Sequence, residues 1–139
     1  MNDTKMKVLI VDDDTEFVEA TATLLETKSY EVIKAYNGEE GFQKAKEEKP
    51  DLILLDVMMP GKDGFVLSRD MKAEGLTKKI PVIIITGISK EMNLPYHFEP
   101  DNTWLPVNAV LEKPVKPEKL LKTVEDVLQG KVLRDLSEG

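Results

Sequence analysis

The sequence predicts an α/β fold on a five-stranded parallel sheet, and three observations predict it. Short apolar runs alternate with amphipathic stretches along the chain, the pattern of βαβ units. The run at 52–55 is too short for a buried helix and is closed by Pro60-Gly61, so it reads as a central strand of a parallel sheet. The runs also close on polar residues, with Asp12 after the first, Asp56 at the end of the third, Thr86 after the fourth and Lys113 after the fifth. In a parallel sheet these collect along one edge, where the loops open a crevice.

Each element follows in order. Val8, Leu9, Ile10 and Val11 form the first strand, and Asp12-Asp13-Asp14 follows it. Asp14 is the expected N-cap of a helix whose buried face is Phe17, Ala20, Thr21, Leu24 and Leu25, at the i, i+3, i+4, i+7, i+8 spacing. Residues 30–35 alternate less cleanly and read as a strand nearer the edge, with Asn37-Gly38 as the turn after it. A charged helix at 39–48 has a thin apolar face of Phe42 and Ala45, and Gly41 within it costs about 1 kcal/mol against alanine.

The third strand, 52–56, is entered from Pro50-Asp51 and closed by Pro60-Gly61. Asp63 caps a third helix carrying Phe65, Val66, Leu67 and Met71 and ending near Gly75. Strands follow at 80–85 and 107–111. Between them, Pro95, Pro100 and Pro106 forbid one long helix, which leaves a short helix at 89–94 and then a loop. Tyr96, Phe98 and Trp104 lie in that loop, where they pin it to the core or face a partner. Pro117 opens a last helix with an apolar stripe of Leu120, Leu121, Val124, Val127 and Leu128, and Gly130 stops it.

Composition narrows the function. The 139 residues suit one domain, with residues 1–5 a flexible start, 6–129 the domain and 130–139 a C-terminal tail with no output domain. A net charge of −7 disfavours a nucleic-acid surface, which needs a basic stripe. With no cysteine and one histidine, thiolate and histidine-rich metal sites are excluded. The apolar runs fall short of the roughly 20 residues that span a bilayer, and no signal peptide is visible, so a cytoplasmic protein without membrane contact is expected.

The strand-end residues have a common chemistry. Nearby carboxylates at Asp12, Asp13 and Asp56 repel one another unless a cation neutralises them. All-oxygen ligands with room for water suit Mg2+. Magnesium and the Lys113 ammonium would neutralise the oxygens of a transferring phosphoryl group, Asp56 would attack as a nucleophile, and Thr86 would donate a hydrogen bond to a phosphoryl oxygen. Each residue alone is more commonly a surface charge or a structural group. Together, at four strand ends, they point to phosphoryl transfer.

Four segments carry a family resemblance: Val11-Asp12-Asp13-Asp14, Leu55-Asp56-Val57-Met58-Met59-Pro60-Gly61-Lys62-Asp63-Gly64, Ile85-Thr86-Gly87 and Glu112-Lys113-Pro114. In this order they resemble the receiver domain of two-component response regulators, over residues 6 to about 128. The resemblance implies a doubly wound, flavodoxin-like three-layer αβα fold. It also implies a signalling switch, not an enzyme, that accepts a phosphoryl group on Asp56 from a sensor histidine kinase or phosphotransfer protein. Position by position, Asp13 and Asp56 would bind Mg2+ directly with the Met58 backbone carbonyl, and Asp12 would act through water. Thr86 would be the switch hydroxyl, Lys113 would pair with the phosphoryl group, and Lys113-Pro114 would be cis.

Three departures accompany the resemblance. Val110 stands where the family usually places an aromatic partner of the switch threonine, which implies a relay through backbone and loop movement. The interval from Thr86 to Lys113 is longer than usual and broken by prolines, so a standard dimer interface does not carry over. Met58 and Ile88, both apolar, flank the path of the hydrolytic water. A long-lived aspartyl phosphate is therefore expected, whose decay polar replacements at both positions should speed.

Other readings fit less well. A flavodoxin-like electron carrier would need a phosphate-accepting loop where Asp12-Asp13-Asp14 stands, and a phosphohydrolase would usually place its nucleophile after the first strand. A nucleic-acid-binding regulator would need a second domain. The alternative retained is a phosphorylation-independent protein-binding module on the same fold, which would be expected to have lost an acidic or lysine residue. The expected output is contact with a downstream protein target.

Overall fold

A computed structural model describes residues 5–56, 73, 80–87 and 108–138. Its strands are β1 (Lys7–Val11), β2 (Glu31–Ala35), β3 (Leu52–Asp56), β4 (Val82–Thr86) and β5 (Ala109–Glu112). The helices described as elements are α1 (Thr15–Glu26), α2 (Gly38–Glu48) and α3 (Pro117–Glu138). All strands pair in parallel in the order β2-β1-β3-β4-β5. This is the doubly wound, flavodoxin-like order, which reverses direction between β1 and β3 and leaves a crevice at their carboxyl ends.

Side-chain alternation along the strands divides the core in two. Leu9, Val11, Ile53, Leu55, Val82 and Ile84 face Ala45 and Phe42 of α2. Val8, Ile10, Leu52, Leu54, Ile83 and Ile85 face α1, through Val18, Ala22 and Leu25, and α3, through Leu120, Val124 and Leu128. Helices on both faces explain why β3 is buried at every position, whereas β2, at the sheet edge, is buried only at Ala35. Each fully buried leucine or isoleucine contributes about 1.5–3 kcal/mol, which makes the β1–β3–β4 centre the rigid platform beneath the site.

The caps explain where the first helices start. Asp14 Oδ1 accepts the Phe17 N–H at 3.1 Å and so begins α1. Asn37 Oδ1 accepts the Glu40 N–H at 2.8 Å, so Asn37 is a helix cap and Gly38 the first helical residue; the expected Asn37-Gly38 turn is corrected accordingly. At the end of α2, Lys49 takes the left-handed conformation (φ 50) and Pro50 blocks continuation.

Other expectations shift in register. In α1, Ala20 is exposed, and the buried stripe is Val18, Thr21, Ala22 and Leu25. Apolar residues at 17, 18, 20, 22, 24 and 25 allow two overlapping stripes, and packing on β1 selects the one centred on Val18 and Ala22. β4 begins at Val82 and not at Ile80, although the Pro81 carbonyl already accepts the Ile53 N–H. β5 begins at Ala109, two residues later than expected, because Asn108 caps its entry: the Asn108 N–H donates to the Val82 carbonyl, and the Asn108 Oδ1 accepts the Val82 N–H. Gly130 does not stop α3, which continues to Glu138. One glycine costs a helix about 1 kcal/mol, and the following Lys131-Val132-Leu133-Arg134 contains strong helix formers. The expected helix at 63–75, the short helix at 89–94 and the aromatics Tyr96, Phe98 and Trp104 lie outside the described residues.

A polar clamp ties α1 to the edge strand. Glu19 accepts from Lys34 Nζ at 2.8 Å and from the Tyr36 hydroxyl at 2.7 Å. The Lys34 hydrogen bond, then the Tyr36 one, hold the Glu19 carboxyl below its ordinary value, while Glu19 pushes both Lys34 and Tyr36 up. Among the described residues, no helix is long and apolar enough to cross a membrane.

Candidate functional site

The register of β1 and β3 builds the site. Val11 pairs with Leu55, so the next residues, Asp12 and Asp56, emerge side by side at the reversal point of the sheet. Neighbouring strands lie about 4.8 Å apart, which brings adjacent carboxylates within reach of one ion. Asp12, Asp13 and Asp56 each offer an oxygen, and these lie within 4.8 Å of one another. Asp12 and Asp56 are buried, and Asp13 is exposed at the mouth.

Lys113 enters from the residue after β5. Its Nζ is 2.7 Å from Asp12 Oδ2 and 3.8 Å from Asp56 Oδ2. The peptide bond between Lys113 and Pro114 is cis, as the resemblance implies. Thr86 ends β4 and pairs in register with Glu112, the residue before Lys113, so its backbone lies on the same edge of the sheet. Met58 and Ile88 lie outside the described residues. The structure thus gathers Asp12, Asp13, Asp56 and Lys113, and places the Thr86 backbone beside them. Val110 is half-buried against the core layer on the α2 side of the sheet.

The donor set fits Mg2+. Three carboxylates against one ammonium leave the cluster two charges negative. Asp12 Oδ1 accepts the Asp14 N–H at 2.9 Å. Asp12 Oδ2 is buried with no hydrogen-bond partner, although Lys113 is near enough for an ion pair. Ion pairing needs only proximity, whereas a hydrogen bond also needs direction, and this oxygen has the first without the second. A buried carboxylate oxygen lacking a directed donor, in a net-negative cluster of oxygens whose Asp13 member is exposed, suits a hard divalent ion that retains water ligands.

One site contact was not anticipated from the sequence. The Lys113 ammonium lies 4.4 Å from the centroid of the Phe17 ring, within cation–π range. The signal was present. A helix capped at Asp14 sets its first turn beside the strand ends, which brings Phe17 to the site and not only to the core.

Comparison with known proteins agrees with this architecture. The response regulator receiver domain profile matches residues 8–125. Protein PilH of Pseudomonas aeruginosa is 41% identical over 128 residues, covering 89% of this chain and 98% of PilH. The phosphate regulon transcriptional regulatory protein PhoB of the same organism is 35% identical over 122 residues, covering 88% of this chain but 51% of PhoB. This chain therefore spans about half of that relative. Among solved structures, the CheY-like response regulator receiver domain protein of Methanospirillum hungatei superimposes with a TM-score of 0.82 at 30% identity, covering 94% of this chain and 99% of that one. Chemotaxis protein CheY4 of Vibrio cholerae gives a TM-score of 0.77 at 30% identity, covering 89% and 99%. Strand order, the acidic edge of the sheet and the family match over residues 8–125 lead to one family, and the chain belongs to the response regulator receiver domains.

Proposed function

We propose that Asp56 is the phosphoryl acceptor of this receiver and that a phosphohistidine on a sensor kinase or phosphotransfer protein is the donor. The observation that carries this reading is the proximity of the Asp56 and Asp12 carboxylates, one residue beyond the Val11–Leu55 pair, with the Lys113 ammonium near both. An Asp56 carboxylate oxygen attacks phosphorus, a new P–O bond forms, the P–N bond to the donor imidazole breaks, and the imidazole leaves with the bonding pair. The product is an aspartyl phosphate.

Lys113 meets the transferring oxygens with a positive charge that is already in place, which lowers the reorganisation needed as charge shifts. Asp12, Asp13 and Asp56 are the residues that would hold Mg2+, together with the Met58 carbonyl in the family pattern. When bound, Mg2+ supplies further neutralisation of phosphoryl oxygens. Thr86, at the end of β4, would supply the hydroxyl that reports occupancy of the site to the surface. The chain then acts as a cytoplasmic switch that changes its contacts with a downstream protein and does not turn over a substrate.

The test is intact mass after incubation with acetyl phosphate, with and without Mg2+, for wild type and Asp56→Asn. A single phosphoryl adduct that requires both Mg2+ and Asp56 is expected. An adduct that persists in Asp56→Asn, or no adduct from any donor, would overturn the assignment, and the second result would favour the phosphorylation-independent binding module.

A further inference from the structure

Among the described residues the Phe17 ring is the one aromatic contact at the site, and a closed circuit of contacts fixes it there. The Asp14 N–H donates to Asp12 Oδ1 at 2.9 Å, and Asp14 Oδ1 accepts the Phe17 N–H at 3.1 Å. The Phe17 ring lies 4.4 Å from Lys113 Nζ, and Lys113 Nζ lies 2.7 Å from Asp12 Oδ2. Asp14 thus has two tasks, capping α1 and linking the aromatic ring to the acidic cluster.

A lysine ammonium on four rotatable bonds can leave a site 20% exposed at its side chain, and its ordering carries a large entropic cost. Asp12 and, at longer range, Asp56 hold it by charge, and Asp12 Oδ2 does so without a directed hydrogen bond. A further carboxylate would hold it more firmly but would add negative charge where a phosphoryl group must arrive. An aromatic face attracts the cation through its quadrupole, adds no net charge, and accepts no conventional hydrogen bond, so the three ammonium donors stay available for oxygens.

We infer that Phe17 is a positioning residue for phosphoryl transfer, its ring holding the Lys113 ammonium at the mouth of the carboxylate cluster. This rests on Asp56 being the acceptor. It places one determinant of the rate of phosphorylation on α1, in a residue that also packs against the apolar core.

The experiment measures the loading rate with acetyl phosphate at saturating Mg2+, so that no protein donor touches α1. Phe17→Leu keeps an apolar side chain and removes the quadrupole; its loading should fall about three- to tenfold, whereas Phe17→Trp should stay within about twofold of wild type. Mono-, di- and trifluorinated phenylalanine at position 17 keep the shape of the ring and weaken its face stepwise, and the rate should fall in the same order. A flat fluorinated series would reduce Phe17 to packing, and normal loading of Phe17→Leu would remove its role. A defect with a phosphohistidine donor but not with acetyl phosphate would make it a docking residue instead; each of these overturns the inference while leaving Asp56 in place. Failure of the wild type to load would overturn both.

Discussion

Replacing Gly41 with alanine sets two opposing effects against each other at a position packed on the last residue of β1. Alanine is the better helix former by about 1 kcal/mol, and Gly41 lies inside α2, so propensity alone predicts stabilisation. A Cβ at this position would lie 2.8 Å from both Val11 Cγ1 and Val11 Cγ2. Val11 is buried, β-branched and the last residue of β1, so rotating one methyl away brings other atoms of the same side chain forward. Overpacking of this kind costs about 1–3 kcal/mol, which exceeds the propensity gain and leaves a net loss of up to about 2 kcal/mol. Urea unfolding of Gly41→Ala should show a lower midpoint at unchanged slope. In a Val11→Ala background the same substitution should become neutral or stabilising, since the obstructing methyls are gone. A Gly41→Ala protein more stable than wild type by about 1 kcal/mol would refute the close packing of α2 on Val11.

Other consequences concern the metal and the surface. At ten times its dissociation constant, Mg2+ should stabilise the wild type by about 1.4 kcal/mol, or about 3–5 °C in Tm, relative to NaCl of equal ionic strength. Asp13→Asn, at an exposed position, should fold normally and lose most of that shift; a full shift in the variant would remove Asp13 from the ligand set. The depressed Glu19 carboxyl makes a small contribution that is present above the unfolded value and lost as pH falls through the folded one, because the clamp favours the ionised form. Glu19→Gln should therefore be slightly less stable than wild type at neutral pH. The difference should vanish below the ordinary carboxylate range, and a gap that persisted in acid would show that the clamp works by packing.

Much of this molecule is legible in its sequence because its centre obeys simple rules. The continuous apolar run of β3 marks a strand covered on both faces, and the alternation of runs with amphipathic stretches marks a parallel sheet, so Asp12 after β1 and Asp56 at the end of β3 fall on one edge. What was less legible depended on contacts between segments distant in sequence. The buried face of α1 was ambiguous by one residue until β1 and β2 selected Val18 over Ala20. Gly41 reads as a weakness in a helix until Val11 is seen beneath it. The start of β5 depends on Asn108 meeting Val82, a pairing that no local propensity encodes. Phe17 falls on the apolar spacing of α1, yet hydrophobic periodicity cannot show that its ring faces a cation. Gly130 does not mark the end of α3, because the cost of one glycine is small beside the helix formers around it.

The central claim is that the Asp56 carboxylate carries the phosphoryl group as an acyl phosphate. Borohydride reduces an acyl phosphate to the alcohol and leaves an unmodified carboxylate intact. Treating the loaded protein with borohydride, digesting it and sequencing the peptides by mass spectrometry should place homoserine at position 56 and at no other aspartate. Homoserine at Asp12 or Asp13, or a phosphoryl group that survives on a hydroxyl side chain, would contradict the account.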